Sequence, residues 1–369
     1  METWSKTLDI ALCHEIIGGP IGLWQEAKDA LERGMNITEV PAKAWTLAHH
    51  LLGRHSQNEG ALLSALTGKV NVNAPDAAPL FPLGLLGSML PDALQYMQEL
   101  GADEKICRDT FSDIMRWVKR YIRLHRKVGV DEFDWIILPY AGCLFEIGGL
   151  QYQTFTVPWP LYAWRDTAGN LRIAADAGVS VSSDGFVTGT GGRHLDTAFI
   201  TSFHKENNVC SAHWYDTDTG EISRELKPVS LHNWTFLFAT NKPALNLHIP
   251  AGALLQDEAV QDSFAQARDF FLPLGYPCEA ALCESWLLDP QLKQWLKTDS
   301  SILAFARRFA RFRVYSTGSW AHRFLFDCDI PPEQLTDTDA KTSLQKAVLS
   351  HWRSGNLLYD TGGIAILQM

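Results

Sequence analysis

The sequence predicts an α+β protein, with a helical first half and a second half that mixes strands with helices. Three observations carry this prediction. Up to about residue 150, apolar side chains recur at the three- and four-residue spacing of helix faces. At "LQYQTFTV", residues 150–157, the pattern changes to the alternation of a half-buried strand. Beyond residue 240, strands and helices take turns, an order that packs helices on a mixed sheet. The expected domains are therefore 1–150 and 151–369. The boundary is a change of pattern and not a linker, since no Ser/Pro-rich spacer separates the halves.

In "IGLWQEAKDALERG", Leu23, Ala27, Ala30 and Leu31 share one face, and Gly34 is placed to end the helix. In "EVPAKAWTLAHHLLG", Pro41 sits near the N-terminus, where its missing N–H leaves no gap, and Gly53 marks the stop. "DALQYMQELG" follows the same pattern. "DTFSDIMRWVKRYIRLHRKVG" carries an apolar stripe of Phe111, Ile114, Met115, Val118 and Ile122. Lys119, Arg120, Arg123 and Arg126 crowd its C-terminal half, where cations on a solvated face complement the helix dipole.

In the second half, "LRIAADAGVSVSSDGFVTG" reads as a hairpin turning at Ser183-Asp184-Gly185. "AFITSF", "WTFLFAT" and "LNLHIP" add strands. "DEAVQDSFAQARDFF" is a helix with Val260, Phe264, Ala267 and Phe271 on its buried face. "AALCESWLL" is a short apolar segment, and Asp289-Pro290 after it reads as a helix cap with Pro in the first turn. "SILAFARRFARFRVY" fits either a strand or a helix. "TSLQKAVLSHWRSG" is a helix closed by Gly355, and "GGIAIL" is a final strand.

Composition removes several function classes. The 369 residues are 46% apolar and include 13 Trp and 18 Phe, so the chain can bury a large core and global disorder is excluded. The net charge of −10 argues against nucleic acid as a partner, because neutralising phosphates takes clustered excess Lys and Arg. Seven cysteines, an odd number with no CxxC pair, speak against a disulfide framework or a zinc knuckle and for a reducing compartment. The N-terminus carries Asp9 and Glu15 within its apolar stretch and lacks the form of a signal peptide. The most apolar window, "APLFPLGLLGSMLPDAL", is broken by Pro and Gly and too short to span a bilayer. A cytoplasmic protein with no membrane partner is expected, its oligomeric state left open.

Three motif fragments fail on their own chemistry. "HEIIG" at 14–18 has Gly18 where a zinc-binding helix needs its second His, so no metal is expected. "DTG" at 360–362 occurs once, as a turn before the last strand. "GTGG" at 189–192 is not followed by the helix whose N-terminus would meet a pyrophosphate, so it reads as a flexible turn. No GxSxG or P-loop is present.

The stretch "LNLHIPAGALLQDEAVQDSFAQARDFF", 245–271, holds a strand that Pro250 ends, then the small residues Ala251, Gly252 and Ala253, then a helix. Small residues let a ligand reach the backbone, and a helix start offers free N–H groups. The same order also makes a tight turn without any ligand, and Asp257 and Glu258 in the first helical turn would repel an anion.

From "DTFSDIMRWV" and "DEFDWI" through "LFEIGGLQYQ", "LNLHIPAG" and "ESWLLDPQL" to "TSLQKAV" and "GNLLYDTGGIAIL", the chain resembles bacterial acyltransferase-domain proteins. These join a helical N-acyltransferase N-terminal domain to a GNAT-like C-terminal domain. The resemblance implies a helical domain packed on a GNAT-like mixed sheet, acyl-CoA as co-substrate, and transfer of an acyl group to the amine of a small-molecule or peptide acceptor. The alternative is a non-catalytic binding or scaffold protein on the same fold, since the place of the phosphate loop reads "HIPAGA", with one Gly.

Acyl transfer needs a base for the ammonium proton, a donor for the oxyanion and a proton for the departing thiolate. The resemblance locates this chemistry between "LNLHIP" and "AALCESWLL". Candidate catalytic residues are then Glu284, His248 and Ser285. His248 has the intrinsic pKa of a base, and equally the habit of a structural hydrogen-bonder. Glu284 is either exposed at a strand end or partly buried with a raised pKa. Ser285 either protonates the thiolate or caps the following helix. Candidate CoA-binding residues are Ala251, Gly252 and Ala253, with Arg307 and Arg308 of "FARRFARFR", where arginines meet phosphates or pair with surplus carboxylates. Trp159, Tyr162 and Trp164 either wall a substrate or pack the core.

Overall fold

The structure, a computed structural model, describes residues 4–51, 58–328 and 330–367. The chain divides into two compact units, Met1–Gln153 and Thr154–Met369.

The first unit holds α1 (Ile10–Ile16), α2 (Ile21–Met35), α3 (Val40–Leu51), α4 (Glu59–Asn73), α5 (Phe81–Glu99), α6 (Glu104–His125) and the single turn α7 (Phe133–Ile136). A hairpin follows, β1 (Leu144–Ile147) and β2 (Leu150–Thr156), with β2 crossing the division. Gly148 and Gly149, at φ 61° and 84°, form its two-residue turn, a conformation that suits glycine. Strand structure therefore begins at Leu144, ahead of residue 150.

Local signals specify the elements where the chain is amphipathic and do so less where it is apolar all round. Asp103 caps α6, its Oδ1 accepting from Ile106 N at 2.7 Å. Phe111, Ile114 and Val118 are buried, while Ile122 is 39% exposed. Of the basic run on this helix, Arg120 departs from the expected solvated face. It is 4% exposed, with Nη1 3.7 Å from Glu132. Gly34 does not end α2 but lies inside it, where the missing Cβ makes room for the Phe81 ring. The Pro/Gly-broken window becomes most of α5, with Pro91 inside the helix. Gly84 there lies against the Ala27 carbonyl of α2, a contact that no Cβ would permit. Gly53 lies outside the described residues.

The second unit runs β3 (Leu161–Asp166), β4 (Leu171–Ala175), β5 (Ser180–Val181), β6 (Phe199–Ile200), β7 (Phe203–Glu206), β8 (Val209–Tyr215), β9 (Ile222–Ser230), β10 (Trp234–Ala239) and β11 (Pro243–His248). It continues with α8 (Asp257–Phe271), β12 (Ala280–Ser285), α9 (Ser301–Ala306), β13 (Ala310–Arg313), α10 (Ser319–Leu325), α11 (Ser343–Arg353) and β14 (Thr361–Ile366). In one sheet β11, β12, β14 and β13 lie side by side, the first pair parallel and the rest antiparallel. The other sheet runs β10-β3-β4-β8-β7, with β9 also on β8. Leu282, Phe312 and Ile364 of the mixed sheet share a core with Leu161, Ala163 and Ile173 of the antiparallel one. Burial of such side chains contributes about 1.5–3 kcal/mol each.

The hairpin at Ser183-Asp184-Gly185 forms, with Gly185 N donating to Ser182 O at 3.1 Å and Val181 bridged antiparallel to Val187, and β4 ahead of it pairs with β3 and β8. "SILAFARRFARFRVY" proves to be both things in turn, α9 and then β13. Once the chain enters β13, residues alternate, and Phe312 faces the core while Arg311 and Arg313 face the other way.

Candidate active site

Parallel strands β11 and β12 are registered at Asn246 opposite Leu282. Two residues further along both strands, His248 and Glu284 fall on the face that carries Leu282. Antiparallel pairing sets Glu284 opposite Gly362 of β14, which makes Asp360 its diagonal neighbour on that face. Phe312 of β13 is opposite Gly362 from the other side, and its ring fills the space where a Cβ would stand. Trp159 packs edge-on against Phe312 at 5.5 Å, and its side chain hydrogen-bonds Glu284. The face thus brings together an imidazole, two carboxyls and an indole at the rim of the core between the sheets.

The Glu284 side chain reaches solvent, yet protein closes around it on most sides, as in a recess. Poor solvation of the carboxylate, with the charge of Asp360 added, pushes its pKa up to about 7 against the opposing Trp159 bond. Asp360 is 4% exposed, and burial raises its pKa to about 6. Its opposing bonds include Ser316 Oγ, which donates to Oδ2 at 2.9 Å. His248 Nε2 lies 3.2 Å from Asn246 Nδ2, so in this assignment the ring nitrogen accepts. The Asn246 Oδ1 is buried with no hydrogen-bond partner.

Against this geometry the comparisons are specific. Residues 144–365 match the GNAT-like C-terminal domain, and residues 19–142 match the N-acyltransferase N-terminal domain. The chain belongs to the GNAT-like family. Among solved structures, an acyltransferase in complex with CoA and 10C-teicoplanin is 18% identical, with a TM-score of 0.60 over 97% of this chain and 87% of that one. An acyltransferase in complex with decanoyl-CoA and teicoplanin is 18% identical, with a TM-score of 0.61 over the same shares. An acyltransferase in complex with decanoyl-CoA is 20% identical, with a TM-score of 0.52 over 98% of this chain and 85% of that one. These likenesses show a shared fold. No curated protein matches the chain.

The GNAT-like domain places the sequence-predicted residues unevenly. His248 and Glu284 share a face, and Ser285 lies on the opposite one, where its Oγ accepts from Leu287 N at 3.1 Å and caps a short 3-10 turn. Ala251, Gly252 and Ala253 form a turn in which Ala253 N donates to Pro250 O at 3.0 Å, and Gly252 has φ 87° with open space beside it. The helix α8 starts only at Asp257, so Ala253 is not its first residue. Arg308 reaches that helix start, donating from Nη2 to Asp257 Oδ1 at 2.8 Å. It thereby answers the acidic first turn. Arg307 is exposed and donates to Thr298 O at 3.3 Å. Tyr162 and Trp164 stack with Phe203 on the far face of the antiparallel sheet, apart from Trp159.

Asp360 was missed by sequence reasoning, although "DTG" marked its position. Its pairing with Glu284 depends on strand register, which no local pattern reveals. A cavity of about 430 Å³ at the same end of the sheet, lined by Phe186, His194 and Arg313 among others, was missed as well.

Proposed function

We propose that the protein transfers an acyl group from acyl-CoA to the amine of a small-molecule or peptide acceptor, with Glu284 as general base. The observation that carries the proposal is the Glu284 carboxyl, poised near pH 7 at the end of β12 beside the parallel strand β11. At neutral pH about half of such a group is available to take a proton. The family membership supports acyl transfer, and the similar structures that hold CoA or decanoyl-CoA support the donor. Two of those structures also hold teicoplanin or 10C-teicoplanin, which supports a second binding partner beside the acyl donor.

In the reaction the acceptor nitrogen attacks the thioester carbonyl and Glu284 takes the nitrogen's proton. The tetrahedral intermediate then breaks its C–S bond, and the CoA sulfur leaves and is protonated. His248 lies on the same face as the second group able to move a proton. The co-substrate fits the residues present in two respects. The orphaned Asn246 Oδ1 needs a donor, and the pantetheine arm of CoA has amide N–H groups. Ala251 and Gly252 present an exposed backbone turn, with Arg308 at the start of α8 and the exposed Arg307 as candidates for phosphate contact. A cytoplasmic setting is part of the same proposal, supported by seven free thiols.

Calorimetric titration with decanoyl-CoA tests the donor. Wild type should bind and Gly252→Trp should not, with Gly252→Ala as the control that carries the same backbone strain at φ 87° without the ring and should still bind. Absence of binding to wild type at about 1 mM would remove acyl-CoA from the proposal.

A further inference from the structure

The two glycine-bearing fragments that match no motif, "GTGG" and "DTG", adjoin in the folded chain. Gly191 lies against Tyr359, where a Cβ would come within 2.7 Å of the ring, and Gly191 N donates to Ser316 O at 2.6 Å. Its φ of 62° adds to the requirement for glycine. This docking brings His194 to Tyr359, with Nε2 3.2 Å from the hydroxyl and Nδ1 2.7 Å from Asp184 Oδ2. The imidazole stacks on Phe186 at 4.1 Å, and the Arg313 guanidinium lies over the same ring at 4.3 Å. These groups wall the cavity of about 430 Å³.

Arg313 is the informative member. It is 4% exposed, its Nη1 donates to Thr361 Oγ1 at 3.1 Å, and its Nε is buried with no partner. The neighbouring carboxylate, Asp289, stands 3.9 Å away and is committed elsewhere. Asp289 Oδ1 accepts from Gln291 N at 3.0 Å, and Oδ2 accepts from Tyr359 N at 2.7 Å. A buried guanidinium with donors to spare is costly unless something fills its fork. Arg193 lies exposed on the cavity wall, and Glu221 is the acidic residue of the lining. With Glu221 in the lining and Asp289 and Asp184 just behind it, the two arginines leave too little positive charge for a phosphate dianion, and a single carboxylate in the Arg313 fork is the anion that suits the cavity.

We propose that this cavity binds the carboxylate of the acceptor, which is an amino acid or short peptide held by Arg313 and Arg193. The word acceptor rests on the acyl-transfer reading above; the carboxylate site does not. In the strand register Arg313, Thr361 and Ser285 form one row across β13, β14 and β12, one residue along from Glu284 and on the opposite face of the sheet. An acceptor anchored by its carboxylate at this row would extend its amine past the strand end toward the Glu284 carboxyl.

The test is calorimetry on the full-length protein without acyl-CoA, using alanyl-alanine and its C-terminal amide as probes. Both present the same amine, and only the first has a carboxylate. The dipeptide should bind roughly tenfold or more tightly than the amide, the effect of one charge-assisted pair. Arg313→Gln and Arg193→Gln should each weaken dipeptide binding and shrink the preference. Because Arg313 is buried, its variant is first checked for a folded signal, and exposed Arg193 tests the site independently of the core. Equal binding of both probes, tighter binding of inorganic phosphate, or no binding at about 10 mM by folded protein would overturn the proposal. If the dipeptide binds but decanoyl-CoA does not, the carboxylate site stands and the acyl-transfer reading falls. If decanoyl-CoA is consumed equally with both probes, the reverse holds.

Discussion

The carboxylates of the two units are handled in opposite ways. In the first unit Arg116 forms a two-pronged pair with Glu146, at 2.6 and 2.9 Å, and also donates to Asp113 at 2.9 Å. Trp117 and Trp135 both donate to the second Asp113 oxygen, and Gln151 donates to Glu146. Every oxygen of these two acids has a donor. In the second unit Glu284 and Asp360 are raised first by poor solvation, the charge of Asp360 adding to Glu284 and that of Asp289 to Asp360, with an indole bonded to one and a serine to the other. Buried acids given cationic partners hold elements together. Acids closed in by protein without a cation titrate near neutrality, a property that suits proton transfer.

The contrast breaks most sharply at Glu284. Glu284→Gln keeps the shape and removes the base, so kcat should fall roughly 10²- to 10⁴-fold while decanoyl-CoA affinity changes little. The wild-type rate should rise with pH through about 7, and that limb should vanish in the variant. A parallel loss of affinity and folded signal would mark Glu284 as structural instead. Arg116→Met tests the other unit. It strands two buried acids and should cost about 3 kcal/mol in chemical denaturation, leaving the pH limb of any surviving activity where it was. A moved limb would show that the two acid pairs are not separate in function.

Asp360→Asn should sharpen the comparison with a smaller effect. Removing a neighbouring negative charge lowers the Glu284 pKa, so the acidic limb should move to lower pH. Stability gives a related measurement. The folded pKa of Glu284, about 7, is above its ordinary 4.5, so its contribution is full below 4.5 and lost as pH rises through 7. Glu284→Gln should therefore melt higher than wild type at alkaline pH, with the difference shrinking toward acid. His248→Asn carries the smallest expectation. If Glu284 is the base, this variant should leave the acidic limb in place, and a lost limb would transfer the role to His248.

How much of this was readable in the chain depends on the range of the interaction. The Asp103 cap, the α6 stripe and the α8 face depend on residues within two turns, and each is visible as spacing. Gly34 and Gly84 carry the same chemistry as any helix-ending glycine, yet both sit inside helices because Phe81 and the Ala27 carbonyl press on them. Glu284 stood out as a charge at the end of an apolar run. Asp360 did not, because its importance comes from lying diagonal to Glu284 across an antiparallel pair. Arg313 looked like one of four arginines in a row. Tertiary packing divides that row: Arg307 to solvent, Arg308 to Asp257, Arg311 to the Leu288 carbonyl, and Arg313 to Phe186.

By itself, then, the sequence determined the helices and strands whose periodicity and caps act over a few residues, such as α6 and α8, while α5 and the split of α9 from β13 were settled by packing. It also determined that the chemistry-bearing groups would be few and mostly in the second half. Which of those groups share a face was decided only by the tertiary structure. Strand register is chosen by the burial of whole faces, and a shift of one residue would have turned Glu284 away from Asp360 and toward Ser285's side of the sheet.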